Sequence, residues 1–315
     1  MSVVSQAVPV ERYEAAAGNP FTKAGFEFAI QRRGDQVFHQ VSRPDTAGKE
    51  AVSLAREVRY VVGSGSHGRA YLSTTGNYLF QTPINWFSQG GRWDLAPNVS
   101  QNQNSHFFRA VDSACIYCHG NQAEPVADSV NCYRAPLPVQ LAIGCERCHG
   151  PGELHVKRQS QADAAEGPDD TIVNPAALEP VLRESICQQC HLQGEFRVLR
   201  RGRELYDFRP GLPLHLFWSA FLRASRESQE REAVSHVEQM FASKCFRASA
   251  GKLGCLSCHD PHNYPAPEKK AALYREACLK CHQERGCSLA APQRQAQNQN
   301  DCAACHMPRL RTTDV

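Results

Sequence analysis

One five-residue pattern, Cys-x-x-Cys-His, occurs six times in this 315-residue chain and constrains it more than any other feature. Its copies, numbered here as sites 1 to 6, are residues 115–119, 145–149, 187–191, 255–259, 278–282 and 302–306. Chance would supply on the order of 0.03 copies of such a pattern in a chain of this composition. The copies use 12 of the 15 cysteines, and a histidine follows every Cys-x-x-Cys pair.

The spacing of the pattern predicts one covalently attached heme c at each site. Residues three positions apart lie on the same side of a helical turn, so both thiols of a site can add to the two vinyl groups on one porphyrin edge. The next residue then brings an imidazole to the iron. The predicted attachment residues are Cys115, Cys118, Cys145, Cys148, Cys187, Cys190, Cys255, Cys258, Cys278, Cys281, Cys302 and Cys305. The predicted proximal ligands are His119, His149, His191, His259, His282 and His306.

Two other interpretations explain the cysteine pairs less well. Six pairs could assemble three zinc sites, but four thiolates complete each site and leave the regular histidine without a role. A thioredoxin-like redox function needs one Cys-x-x-Cys pair on one α/β unit rather than six copies.

Three cysteines lie outside the pattern, namely Cys132, Cys245 and Cys287. Because an odd number cannot all pair within one chain, they allow either one disulfide with one free thiol or no disulfide.

Histidines outside the pattern are candidates for the second axial position of each iron. We expect distal ligands among His67, His106, His155, His215, His236 and His262. The remaining one, His39, lies within a strand pattern and is not included. Met240 is the sole plausible methionine ligand, because Met1 is terminal and Met307 directly follows a proximal histidine. The sequence therefore predicts mostly bis-histidine hemes of low potential.

Sequence position gives some of these histidines a more specific expectation. His155 and His262 follow the proximal histidines of sites 2 and 4 too closely to reach the other face of the same heme. Each is therefore expected to ligate a neighbouring heme, which would cross-link the fold. His236 lies in a segment that favours a helix, and His67 lies in a glycine-serine segment that favours a turn.

The arrangement of the sites along the chain predicts two regions. Residues 1–105 contain no copy of the pattern, and apolar side chains alternate at Phe26, Phe28 and Ile30. A turn signal at 75–77 between two apolar segments indicates a hairpin. We therefore expect a small β-rich module at 1–105 and a hexaheme c-type cytochrome domain at 106–315. In the second region we expect short helices and irregular loops packed around the hemes, which would supply much of the core. Polar loops are expected at 157–171 and 288–301, and the charged run at 223–232 is expected to be a solvated helix face.

Charge and hydropathy exclude several other classes of protein. The formal net charge is +3, which does not indicate a nucleic-acid-binding protein. The most apolar segment, residues 212–222, has about half the length that a membrane span requires. The start of the chain lacks a basic region followed by an apolar run, so it is not a signal peptide.

Heme chemistry nevertheless predicts a periplasmic or extracellular location, because covalent attachment occurs mainly beyond the cytoplasmic membrane. The missing leader is then attributed to truncation of a longer exported protein. Redox proteins are the expected partners, and the sequence leaves homo-oligomerisation open.

The pattern resembles the multiheme cytochrome c superfamily, and it is similar to the tetraheme cytochrome of hydroxylamine oxidation. Residues 144–155, Gly-Cys-Glu-Arg-Cys-His-Gly-Pro-Gly-Glu-Leu-His, resemble a heme site of that family with its trailing distal histidine. Residues 255–262 and 302–309 are similar to sites in the cytochrome regions of bacterial tetratricopeptide-repeat proteins. Those relatives commonly have a signal sequence and a further heme motif near the start, and they continue beyond the equivalent of Val315. The resemblance therefore implies a heme-binding function and suggests a fragment.

Two functions are compatible with this pattern. An electron carrier is favoured, since closely spaced six-coordinate hemes transfer electrons without chemistry at iron. The alternative is an oxidoreductase that acts on a small nitrogen or sulfur compound at one open heme, with nearby donors that stabilise charge. The Cys-x-x-Cys-Lys variant of the ammonia-forming nitrite reductases is absent from the sequence, and no catalytic residue is predicted.

Overall fold

A computed structural model describes residues 4–6, 11–45, 50–97, 99, 106–121, 123–134, 142–161, 167–221, 235–283 and 286–307. The chain divides into two compact units. The first comprises Met1–Asn174 and Leu199–Pro210, and the second comprises Pro175–Val198 and Gly211–Thr313. Sites 1 and 2 thus belong to the first unit, and sites 3 to 6 belong to the second.

The first unit is built on antiparallel strands. They are β1 (Val4–Gln6), β2 (Phe21–Lys23), β3 (Phe26–Arg33), β4 (Gln36–Pro44), β5 (Glu50–Val58), β6 (Tyr60–Val62), β7 (Gly68–Thr75), β8 (Tyr78–Gln81), β9 (Ile84–Phe87), β10 (Arg92–Leu95) and β11 (Arg109–Ala110). One sheet has the order β2-β3-β4-β5, and the other has the order β1-β6-β7-β8-β11, with β9 pairing both β7 and β10. The predicted hairpin is confirmed, since Thr75 pairs with Tyr78 across the β7–β8 turn.

An apolar core contains side chains from both sheets. Phe28 and Ile30 of β3 are buried in it together with Trp86 of β9 and Trp93 of β10, and Phe26 packs at its margin. The alternation in the sequence therefore marks a strand with one face toward a core, as expected. The prediction of a β-rich N-terminal region is confirmed.

A second apolar cluster attaches site 1 to the sheet that contains β7. Tyr71 and Leu72 are consecutive in β7 and so point to opposite faces. Tyr71 belongs to the first core, whereas Leu72 packs in the second cluster with Leu79 and Ile116. Because Ile116 lies between the two cysteines of site 1, the sheet fixes the position of that site.

The helices are short and separated by irregular chain, as expected. The α-helices are α1 (Ser113–His119), α2 (Glu146–His149), α3 (Glu153–Gln159), α4 (Pro180–His191), α5 (His236–Ala242), α6 (Lys244–Ala248), α7 (Lys270–His282), α8 (Ala291–Asn298) and α9 (Cys302–His306). Single 3-10 turns occupy Ala15–Ala17, Pro175–Ala177, Leu205–Asp207, Leu214–Leu216, Cys255–Ser257 and Pro267–Lys269. Two strands, β12 (Phe196–Leu199) and β13 (Trp218–Phe221), pair with each other.

The second unit has a small apolar core. Its buried apolar side chains are those of Ile186, Leu214, Phe217, Trp218 and Val237. Beyond Val237, no apolar side chain among the described residues is buried, although four of the nine α-helices begin after that residue. Bound porphyrins would supply the missing apolar contacts there, in line with a fold that depends on its cofactor.

Some local expectations need correction or lie outside the described residues. The expected polar loop at 288–301 contains α8, which begins at Ala291 with Pro292 in its first turn. The expected loop at 157–171 begins within α3. The charged run at 223–232, expected to be a solvated helix face, lies outside the described residues. Within the part of the chain that the structure describes, no helix combines the length and hydropathy of a membrane span.

Candidate heme sites

Each of the six Cys-x-x-Cys-His motifs lies on a single helical turn. Sites 1, 3 and 5 are the last residues of α1, α4 and α7, and site 6 forms α9. At site 2, Cys145 is the N-cap of α2 and has helical backbone angles. Site 4 begins with a 3-10 turn, and the backbone N–H of His259 donates to the carbonyl of Cys255 at 3.0 Å. Both cysteines of every motif thus lie on one turn, as heme attachment requires.

The cysteines outside the motifs form no disulfide. Cys132, Cys245 and Cys287 are free thiols, and so are the motif cysteines, all of which fall within the described residues. Of the two arrangements that the sequence allowed, the structure has the one without a disulfide.

Site 1 is held by a capped helix and by burial. The side chain of Asp112 accepts a 3.0 Å hydrogen bond from the backbone N–H of Cys115 and so caps α1. Burial raises the pKa of the Cys115 thiol to about 11, and the negative charge of Asp112 makes the second-largest contribution. Burial also lowers the pKa of His119, which favours the neutral imidazole that binds iron.

Site 2 contacts site 1 through the residues between their cysteines. The guanidinium of Arg147 lies over the Tyr117 ring, 4.0 Å from its centroid, and donates to the Tyr117 carbonyl at 2.7 Å. The backbone N–H of Gly144 donates to the Asn121 side chain at 3.3 Å. Arginine suits this position because its planar group can stack on a ring and donate hydrogen bonds at the same time. The variable residues of the two motifs therefore hold sites 1 and 2 next to each other.

Two histidines near site 2 have the tautomer expected of iron ligands. The Nδ1 atom of His149 lies 2.8 Å from the carbonyl oxygen of Val173. The Nδ1 atom of His155 lies 2.8 Å from a carboxylate oxygen of Asp169. Since a carbonyl and a carboxylate only accept, each Nδ1 donates and the lone pair of each ring lies on Nε2. A hydrogen bond of this kind orients a ligating histidine and raises its basicity.

Asp169 is itself held by several donors. Its carboxylate accepts from the hydroxyl and backbone N–H of Thr171 and from the side-chain amide of Gln159. Arg158 lies 3.3 Å away. These hydrogen bonds hold the pKa of Asp169 well below its usual range, and the one from the Thr171 hydroxyl has the largest effect. The carboxylate therefore stays charged and is a fixed acceptor for His155.

Sites 3 and 4 approach each other around His236. The Nδ1 atoms of His191 and His236 are 3.2 Å apart, and their rings are nearly perpendicular at 76°. Burial lowers the pKa of His259, and the proximity of His236 lowers it further. The expected helix at His236 is confirmed, because this residue begins α5. One distal candidate thus lies near the proximal histidines of two different sites.

Sites 5 and 6 lie on two helices that contact each other, α7 and α9. Asp301 caps α9, accepting from the backbone N–H of Ala303 at 2.9 Å. Burial raises the pKa of the Cys278 thiol most, and the nearby Cys302 of site 6 raises it further. The proximal histidines of both sites, His282 and His306, are exposed.

The remaining distal candidates have the following positions. His67 lies in the predicted turn, between β6 and β7, and its Nδ1 atom is 3.2 Å from the Gln89 amide nitrogen. The ring of His106 packs edge-on against Phe26. His215 is exposed in a 3-10 turn, and His262 is exposed with its Nδ1 atom 3.8 Å from Asp260.

His39, excluded as a ligand, is a core residue. Its side chain is fully buried among the rings of Tyr71 and Trp93, and its Nδ1 atom lies 2.9 Å from the Thr82 hydroxyl. Burial lowers its pKa to about 3, so the ring is neutral.

The side chains present fit a heme better than a bare metal ion. Among the described residues, no group of three or more histidine, cysteine, aspartate and glutamate side chains converges as a metal-ion site, whereas each zinc site of the alternative interpretation needs four thiolates. Paired thiols on a helical turn, histidines oriented by a hydrogen bond at Nδ1 and a small apolar core are what a covalent porphyrin requires.

Sequence reasoning missed three residues that support the sites: Arg147, Asp169 and Glu184. Arg147 occupies a variable position of a motif, and Asp169 lies 14 residues from the histidine that it contacts. Glu184 accepts a hydrogen bond from the backbone of site 4, 71 positions away. No local sequence signal marks such long-range partners.

Comparison with known proteins supports the heme interpretation. A family model described as a doubled CXXCH motif matches residues 248–286, which contain sites 4 and 5. No curated protein and no solved structure matches the chain. The matched motif points to a multiheme cytochrome of the c type, with covalently bound heme c.

Proposed function

We propose that this chain is a multiheme c-type cytochrome that binds six covalent hemes and transfers electrons along them. The observation that carries the proposal is the placement of the six motifs on helical turns. Five of these turns end in the motif histidine, and at site 4 the backbone N–H of His259 donates to the carbonyl of Cys255, which begins the turn. The match of sites 4 and 5 to a doubled motif supports the same cofactor at the other four sites, because their residues and local geometry are alike.

Heme c supplies an iron that alternates between the ferric and ferrous states without a change in the protein's covalent structure. The twelve motif cysteines would fasten the porphyrins, and the six motif histidines would be the proximal ligands. Thioether attachment retains the cofactor even where the apolar pocket is small, as it is beyond Val237.

The distal ligands would come from the six candidate histidines. His155 and His236 have the strongest support, since the Nδ1 atom of each is hydrogen-bonded, that of His155 to Asp169 and that of His236 to His191 of site 3. Ligation of every iron on both sides would leave no open position for a substrate. Electron transfer is therefore favoured over the alternative function, reduction or oxidation of a small nitrogen or sulfur compound.

The domain organisation that we propose keeps the β-rich module at 1–105 and the heme-bearing region at 106–315. The second apolar cluster supports a structural role for the module, because it fixes Ile116 of site 1 against β7 and β8. We also propose a periplasmic or extracellular location and redox proteins as partners, both of which rest on the heme chemistry.

Carbon monoxide binding tests the choice between a carrier and an enzyme. In the dithionite-reduced protein with all hemes attached, a carrier with six-coordinate irons should show almost no carbon monoxide-induced change in its Soret band. Electron paramagnetic resonance of the oxidised protein should show low-spin signals. Stoichiometric carbon monoxide binding at one heme, together with a high-spin signal, would support the enzymatic alternative instead.

A further inference from the structure

Sites 3 and 4 are separated by the longest interval between successive motifs, yet they are joined through Glu184. This residue lies in α4, one turn before Cys187 of site 3. Its two carboxylate oxygens are 3.1 and 3.3 Å from the backbone nitrogen of Cys255, the first residue of site 4. A partly buried N–H of site 4 therefore finds its acceptor on the helix of site 3.

The surroundings of Glu184 indicate a specific contact. Its side chain is mostly buried, and Arg183 provides the opposite charge, with its Nε atom 3.5 Å away. Gly254 precedes site 4, and a Cβ atom at that position would collide with the Glu184 carboxylate. A side chain at position 254 would force the Glu184 carboxylate to shift, so glycine at this position leaves room for the contact.

Two further contacts lie beside this one. The side chains of Cys187 and Cys255, the first attachment cysteines of the two sites, lie within hydrogen-bonding reach of each other. The Nδ1 atom of His236 is 3.2 Å from that of His191, which ends the helix that carries Glu184. The first attachment cysteines of the two sites are therefore neighbours in space, and a distal candidate lies beside site 3.

We propose that Glu184 is a positioning residue that holds sites 3 and 4 together, so that their hemes are direct neighbours in electron transfer. The proposal rests on the proposed function, since it concerns hemes at these two sites. It assigns a spatial order that the 68-residue interval between Cys187 and Cys255 does not suggest.

A cycle of heme removals tests the pairing in the otherwise intact holoprotein. One variant carries Cys187→Ala and Cys190→Ala, the second carries Cys255→Ala and Cys258→Ala, and the third combines them. If the hemes are neighbours, their paramagnetic irons interact, and the spectral changes of the two single removals will not add up to that of the combined variant. The matched control removes site 6 with Cys302→Ala and Cys305→Ala in place of site 4, and its changes should be close to additive with those of site 3.

Substitution of Glu184 tests the positioning role with all attachment residues present. Glu184→Ala should weaken the magnetic interaction between the two hemes, whereas Glu184→Gln keeps a carbonyl acceptor for Cys255 and should restore most of it. Glu179→Ala, at the exposed N-terminal end of the same helix, should leave the spectrum unchanged. Intact mass establishes that each variant has the intended number of hemes.

The outcomes separate the two proposals. A wild-type protein without attached hemes contradicts the proposed function itself. If six hemes are attached but the spectral changes for the removals at sites 3 and 4 are additive, the pairing alone is overturned. The same holds if the changes for sites 3 and 6 depart from additivity as much as those for sites 3 and 4. An unchanged interaction in Glu184→Ala overturns the role of Glu184.

Discussion

Asp169 accepts a 2.8 Å hydrogen bond from Nδ1 of His155, which lies 14 positions earlier in the chain. The contact fixes the plane of the imidazole and leaves Nε2 free for iron. A carboxylate partner also makes the imidazole a stronger donor, which stabilises ferric over ferrous iron. With His155 as a distal ligand, as proposed, Asp169 would act on the electronic properties of a heme through this hydrogen bond.

Replacing Asp169 with asparagine should raise the midpoint potential of one heme, because the neutral amide is a weaker acceptor for His155. Potentiometric titration followed in the visible spectrum measures this change. Asp170→Asn is the matched control, since Asp170 is exposed and pairs with Arg158 rather than with the histidine. An unchanged or lower potential in Asp169→Asn would show that His155 is not a ligand oriented by this carboxylate.

Gly254→Ala should destabilise the folded protein by about 1–3 kcal/mol, the usual cost of forcing an additional group into a packed position. The clash is with Glu184, so the loss should be smaller when Gly254→Ala is introduced into Glu184→Ala. Denaturant unfolding of the wild type, the two single variants and the double variant measures the coupling between positions 184 and 254. Gly90→Ala is a suitable control, because its Cβ atom would meet only the flexible Arg92 side chain, at 3.4 Å. Equal losses in both backgrounds would contradict the contact.

His39 should make the folded protein sensitive to acid. Its pKa falls from 6.5 to about 3 on folding because the ring is buried, and Tyr71 beside it stays neutral because burial raises the pKa of its hydroxyl. Between these pH values the unfolded chain binds a proton that the folded protein does not. The free energy of unfolding is therefore highest above pH 6.5 and falls as the pH drops toward 3, by at most about 1.4 kcal/mol per pH unit from this group.

His39→Gln removes the titrating group and should flatten that dependence. Unfolding monitored by tryptophan fluorescence at pH 7 and pH 4.5 compares the two proteins, and acid-sensitive groups common to both cancel in the difference. The variant should lose stability at pH 7 because the buried Thr82 contact changes. Identical pH slopes would contradict a buried neutral His39.

The features of the fold that could be predicted from the sequence are local. Alternation at Phe28 and Ile30, the turn before Tyr78 and the motif spacing each involve residues within a few positions, and the structure has the corresponding strand, hairpin and helical turns. The polar composition of 288–301 was misleading, because Ala291 and Pro292 begin a helix despite the polar side chains that follow.

The organisation of the sites could not be predicted in the same way. Arg147 on Tyr117, Asp169 on His155 and Glu184 on Cys255 join segments between 14 and 71 positions apart. Such contacts depend on chain topology, for which neither composition nor spacing provides a signal. The sequence favoured His155 and His262 alike and placed His236 on a helix, whereas the contacts with Asp169 and His191, which set His155 and His236 apart, are seen only in the structure.

Intact mass measured together with a pyridine hemochrome assay tests the central claim most directly. The chain should be produced in a host that matures c-type cytochromes and then analysed under denaturing conditions, so that only covalent cofactors remain. Six attached hemes should add about 3.7 kDa to the polypeptide and give six heme equivalents per chain. A colourless protein at the polypeptide mass, or one that contains zinc instead of heme, would contradict the account.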